Sequence, residues 1–154
     1  HALLMTMPGI PSVYYGSEIA LSGAKGNDDW PLRPRLKPGD LSVQAPVDGA
    51  QTSAVKSAPV GNLPGYIARL QEIRRTDAAL RHGTYDEVYV AHQQLVFARR
   101  YEGRTTFVAF NSAASEVEID IPEAGTYVDR LDGSEFGTSV LLKPFSARIL
   151  TRRD

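Results

Sequence analysis

TMPGIPSVYYGSE, residues 6–18, is the stretch on which the reading of this chain turns. Inside it PSVYYG, residues 11–16, sets a β-branched valine and two tyrosines between a proline and a glycine. That is the composition of a short buried strand closed by a tight turn, so a strand is expected over residues 11–16. Side chains alternate along a strand, which sends Tyr14 and Tyr15 to opposite faces, both as packing groups. Upstream, Ala2–Met7 is an apolar run with no cap or polar leader, so the chain reads as cut at its start. His1 reads equally as native or as the last residue of a purification tag.

Downstream, residues 23–61 hold five prolines and five glycines without sustained periodicity. A connection of that length is well beyond the roughly 12–15 residues usual for a structureless loop, so it is either functional or disordered. In NLPGYIARLQEIRR, residues 62–75, Ile67, Leu70 and Ile73 recur about once per helical turn. Asn62 can cap the start and Arg74 and Arg75 suit the end of a one-faced helix. Asp77 is placed to cap a short AALRH turn, which stops at Gly83, a residue type favoured at left-handed helix ends.

From Gly83 onward the period drops to about two. EVYVA (87–91), LVFARR (95–100), TTFVAFN (105–111) and EVEIDI (116–121) read as strands, continued by TYVDRL, SVLL and SARIL. Turns are expected at Glu102-Gly103, Asp132-Gly133 and Lys143-Pro144, a spacing that fits an antiparallel β-sandwich. The order is strand, long loop, helix, then strands only. One βα unit cannot bury both sides of its own strand, so the first part reads as a piece of something larger.

The bulk properties narrow the function classes. The chain has 154 residues, 42% of them apolar, enough for one ordinary core and a second small one. Its 17 basic and 18 acidic residues nearly cancel, which argues against recruitment by nucleic acid or an anionic membrane. The apolar opening is about a third of the roughly 20 residues a membrane helix needs. The absence of cysteine removes disulfides, thiolate nucleophiles and thiolate metal sites, and leans only slightly toward a cytoplasmic location. The three histidines, at 1, 82 and 92, have no ligand spacing. Asp28 and Asp29 are adjacent rather than facing, a weak metal site.

Thr6–Glu18 resembles the eighth strand of the α-amylase-superfamily barrel, where Gly-x-Pro-x-x-Tyr-Tyr-Gly-x-Glu recurs. The likeness extends over essentially all of the chain: a loop with an Asp to Arg element, a last barrel helix, and strands such as FARRYEG, FVAFN and YVDRLDG resembling the family's C-terminal sandwich. It implies a mostly β chain, a C-terminal antiparallel β-sandwich (84–154) preceded by the last βα unit of a (β/α)8 barrel (1–83). It also implies a parent enzyme that acts by a retaining mechanism on α-linked glucans. No position here matches the family's three catalytic carboxylates, so the chain alone is expected to be inactive.

Asp29 and Arg33, four apart in DDWPLR, resemble the pair with which family members hold glucose units. The carboxylate accepts and the guanidinium donates in a fixed fork. The family often places proline directly after the aspartate; here Trp30 follows, and Arg35 is a second basic partner. The competing account is a surface ion pair, with Trp30 pinning the loop instead of stacking on a sugar. Glu18, at the rim where barrel enzymes do their chemistry, reads as structural. No cofactor is expected; calcium serves some relatives, and no ligands for it are identifiable.

The expected partners are an α-glucan or oligosaccharide, through the barrel, and an upstream barrel fragment or a second copy, through apolar faces exposed on residues 11–16 and on the helix. An alternative is an autonomous carbohydrate-binding or structural sandwich. Its aromatics, Phe97, Phe107 and Phe110, lie in apolar runs that point inward, and the sandwich has no tryptophan.

Overall fold

The computed structural model of the chain describes residues 1–21, 26–28, 35 and 63–153. Three helices are present among these, α1 (Ala2–Thr6), α2 (Leu63–Thr76) and α3 (Ala78–His82), with a 3₁₀ turn at Ser17–Ile19. Eight strands follow: β1 (Thr84–Val90), β2 (Gln94–Tyr101), β3 (Arg104–Asn111), β4 (Val117–Asp120), β5 (Tyr127–Asp129), β6 (Glu135–Phe136), β7 (Ser139–Leu142) and β8 (Ser146–Arg152). They form a six-stranded sheet, in the order β1-β2-β3-β8-β5-β6, and a two-stranded sheet of β4 and β7. Every strand pairing is antiparallel.

The larger sheet is buried on both faces, and this explains why its central strands read as unbroken apolar runs. Val96, Ala98, Phe107, Ala109 and Leu150 meet Ile119, Val140 and Leu142 of the small sheet, making the inter-sheet core. The intervening residues Phe97, Val108 and Ile149 face the other way, against Ile67, Leu70 and Ile73 of α2, Leu80 of α3 and Ala2 and Met5 of α1. All three phenylalanines point inward as expected, but into different cores: Phe107 lies between the sheets, while Phe97 and Phe110 face the helices.

Polar nodes fix the register of these layers. Asn111, 2% exposed, accepts from Gln94 Nε2 at 3.0 Å and donates to the carbonyls of Ser115 at 2.8 Å and Lys143 at 3.0 Å. One amide side chain thus joins the two sheets, and satisfying a buried polar group this fully gives specificity as well as stability. Asp77 caps α3 as expected, accepting from Ala79 N at 2.9 Å and Leu80 N at 3.2 Å, while Thr106 Oγ1 donates to its other oxygen at 2.7 Å. At the far side Asp129, 1% exposed, accepts from Leu131 N, Ile149 N and Arg148 Nη1.

Several expectations are corrected. Residues 11–16 form no strand, because a strand exists only within a ladder and every ladder among the described residues is filled by strands from Thr84 on. Tyr14 and Tyr15, expected to pack, are 61% and 46% exposed. The apolar stripe of α2 is not left bare: it lies on the second face of the large sheet. Gly83 does not adopt the left-handed conformation; its φ is −71°. Glycine is required there by close approach, since a Cβ would sit 2.5 Å from the Ala79 carbonyl oxygen and 2.7 Å from that of Arg100. The turn expected at Lys143-Pro144 falls one residue later, and Phe145 takes a φ of 50°. Helix α1 and strand β6 have no counterpart among the elements expected from the sequence.

Candidate functional site

The segment from Met5 to Leu21 is held at its start by two arginines. Arg74, near the end of α2, donates through Nη1 to the carbonyls of Met5 at 2.8 Å and Met7 at 3.1 Å, and through Nη2 to Gly9 at 2.6 Å. Arg99, on β2, is 1% exposed and donates through Nη1 to Thr6 O at 2.6 Å, Nη2 to Gly83 O at 2.9 Å and Nε to Thr84 O at 3.0 Å. The last carbonyls of a helix have no partner within it, and cations are favoured at that end. Between them the two guanidiniums engage four carbonyls at and just after the end of α1, those of Met5, Thr6, Met7 and Gly9. Burial lowers the pKa of both, and for Arg99 the nearby Arg74 adds to the depression while Asp77 opposes it.

Beyond Gly9 the chain runs without regular structure to a tight turn around Gly16, whose φ is 84°. A Cβ on Gly16 would sit 2.6 Å from Leu21 Cδ2, and Leu21 N donates to Gly16 O at 2.9 Å, so glycine is required by conformation and by space. Glu18 lies in the 3₁₀ turn that follows. Between α2 and this segment is a cleft of about 310 Å³, lined by Met5, Pro11, Val13, Gln71, Arg74, Arg75 and Arg81. Arg75 forks onto Glu72, with both bonds at 2.8 Å, and holds that carboxyl below the usual range.

Of the residues assigned to substrate from sequence, Asp29, Trp30 and Arg33 lie outside the described residues, as does the cap Asn62. Among the described residues no group of three or more His, Asp or Glu side chains could hold a metal ion, and no helix is long and apolar enough to cross a membrane. The arginine pair was not singled out. Its signal was the parity of β2, where Leu95, Phe97 and Arg99 share a face and so put a guanidinium in line with core residues.

With that geometry in place, residues 85–149 match the family model of the maltogenic amylase C-terminal domain. The chain is 30% identical over 142 residues to a cyclomaltodextrin glucanotransferase of Bacillus sp. (strain 1-1), a match covering 86% of this chain and 17% of the relative. The chain is the C-terminal part of an α-amylase-family protein. The crystal structure of an Anoxybacillus α-amylase superposes with a TM-score of 0.70 at 24% identity, over 99% of this chain and 31% of that one, so the fold is shared. The resemblance also extends beyond hydrolases. The amino acid transporter heavy chain SLC3A2 of Mus musculus is 25% identical over 154 residues, 99% of this amylase-family chain and 27% of that protein. The chain thus spans under a fifth of the glucanotransferase, about a quarter of the transporter heavy chain and just under a third of the amylase. The antiparallel sandwich described above is the C-terminal β-sandwich domain of the family.

Proposed function

We propose that this chain is the end of the catalytic barrel (1–83) and the C-terminal sandwich (84–154) of a retaining α-glucan hydrolase or transglycosylase. In this reading the chain carries none of the three catalytic carboxylates, and the parent protein supplies them from earlier barrel strands. The observation that carries it is the collinear likeness to a cyclomaltodextrin glucanotransferase over 86% of the chain, running through both parts. Asp29, Arg33 and Trp30 keep their proposed role as contacts to glucose units, the first two as acceptor and donor and the third as an apolar platform.

The exposed Leu3, Leu4, Ile10, Tyr14 and Tyr15 support a partner surface on the first part, one on which the rest of the barrel or a second copy would sit. The sandwich is read as structural: Phe97, Phe107, Phe110 and Tyr127 are spent in its two cores, and Tyr85, Tyr89 and Phe145 are the large aromatics its surface exposes among the described residues. The test is to express the protein with its upstream coding sequence and assay it on maltooligosaccharides, cyclodextrins, pullulan, sucrose and trehalose. Turnover of one of these is expected, and a folded protein inactive on all of them would overturn the assignment.

That outcome would favour a second reading, for which the likeness to the transporter heavy chain is the specific observation. There the parent keeps the amylase-type fold as a structural module without catalysis. An autonomous carbohydrate-binding role would instead require micromolar binding of maltoheptaose to the sandwich by calorimetry.

A further inference from the structure

The two arginines at the start of residues 5–18 do more than close a helix. A guanidinium buried to 1% exposure would be expected to face a carboxylate, yet among the described residues the hydrogen bonds of Arg99 go to backbone carbonyls, those of Thr6, Gly83 and Thr84. Arg74 does the same with Met5, Met7 and Gly9. A buried cation hydrogen-bonded to carbonyls, with the Asp77 charge acting on it without a hydrogen bond, bears a desolvation cost that an apolar side chain would avoid. What it gives in return is direction, because a planar fork reaches several acceptors only in one relative arrangement. Arg99 belongs to the sandwich sheet, Arg74 to the helix laid on it, and their shared target is the chain leading into PSVYYGSE.

We propose that Arg99, with Arg74, is a positioning residue through which the C-terminal sandwich sets the placement of residues 7–18, and through them the reaction centre of the parent enzyme. This rests on the reading above, in which that segment becomes a barrel strand ending at the catalytic rim. The sandwich is then part of the frame of the active centre. Arg99 touches no substrate and acts only through the backbone it holds.

The experiment uses the full-length parent, with Arg99→Met, Arg99→Lys and Arg74→Met beside a control, Leu142→Ala, which opens the inter-sheet core on the opposite face. Activity is normalised to folded enzyme by active-site titration, and amide exchange is followed by mass spectrometry. Misplacement of catalytic geometry costs rate rather than binding, so Arg99→Met should lower kcat by roughly ten- to a hundredfold with KM within about twofold. Arg99→Lys should recover part of the loss, and amides 7–16 should exchange faster in the arginine variants alone. Leu142→Ala should lower Tm and leave normalised kcat and exchange at 7–16 unchanged. An unchanged kcat in an active Arg99→Met enzyme, or the same loss in Leu142→Ala, overturns the proposal. Should Arg99→Met fail to fold, Arg99→Lys and Arg74→Met decide on the same criteria. If the wild-type parent turns over no glucan, the functional reading fails, and exchange at 7–16 still decides whether the arginines hold the segment.

Discussion

Residues 11–16 and residues 95–100 look alike on paper: each is a short run of β-formers with turn residues beyond it. In the structure they part. LVFARR pairs on both sides, with β1 and with β3, and its side chains fill two cores. PSVYYG has no ladder, and its tyrosines are exposed. Composition sets what a segment can become, while partners decide what it is, because an isolated strand leaves its backbone groups to water and buries nothing. In the proposed reading the same difference separates this chain's two parts: one finds its strand partners within the chain, and the other would find them in the barrel strands of the parent protein.

The strongest way to break the comparison is to ask whether the helices and the sandwich are one cooperative unit. Phe97 and Phe107, both fully buried, sit on opposite faces of the large sheet. Replacing either by alanine should cost about 3–5 kcal/mol by removing buried surface and leaving a cavity. If the faces are coupled, circular dichroism and tryptophan-independent near-ultraviolet probes should report one urea transition in each variant. A Phe97→Ala transition that splits in two, with the strands melting later, would show that α1, α2 and α3 only rest on the sheet.

The next largest effect tests whether the sandwich is held by polar nodes as much as by its cores. Asp129 gathers two backbone N–H groups and Arg148, whose side chain is 12% exposed and also lies over the Phe136 ring at 4.4 Å. Alanine there would strand two donors and most of a cation, for about 3 kcal/mol. A loss below about 1 kcal/mol in urea titration would mean that water replaces the carboxylate and that the node is incidental.

How much of this was legible depended on the range of the cause. Strands β1–β5, β7 and β8, helix α2 and the Asp77 cap follow from periods and neighbours a few residues away, and these stand. Arg99 was not legible as a node because its partners, Thr6 and Gly83, lie 93 and 16 residues off. Helix α1 was passed over although Ala, Leu and Met favour helix, since five residues fall short of a helix that can stand by itself. Glu135–Phe136 is two residues long and is a strand only because β5 lies beside it. Asp29, Trp30 and Arg33 are read from resemblance and not from periodicity, and they lie outside the described residues.

Gly83 sharpens that lesson at a single position. A left-handed residue and a tightly packed one both call for glycine, but they respond differently to substitution. With φ at −71°, alanine meets no conformational penalty and fails only by contact with two carbonyl oxygens, at 2.5 and 2.7 Å. Gly83→Ala should therefore cost about 1–3 kcal/mol through overpacking, and the larger Gly83→Val should cost more. Since Arg99 donates to the Gly83 carbonyl, faster exchange at Thr84 should accompany the loss. A neutral Gly83→Ala would mean that α3 shifts freely against β2.

The smallest effect lies on the exposed rim of the sandwich, where the comparison predicts little. Hydrogen bonds from Ser134, its hydroxyl first, outweigh partial burial and hold the Asp132 carboxyl below its ordinary pKa, with help from Arg148. A depressed folded-state pKa means that the stabilisation is present above the unfolded value, near 3.9, and is lost as pH falls through the folded one. The side chain is 55% exposed, so screening should keep the contribution under about 1 kcal/mol. Asp132→Asn keeps an acceptor for Ser134 and removes only the charge. Its urea midpoint should sit slightly below wild type at pH 7 and converge with it below about pH 4, the window in which an ordinary aspartate begins to protonate. A gap that widens on acidification would reverse the assignment, and one that exceeds about 1 kcal/mol at neutral pH would show the rim charge to be worth more than its exposure allows.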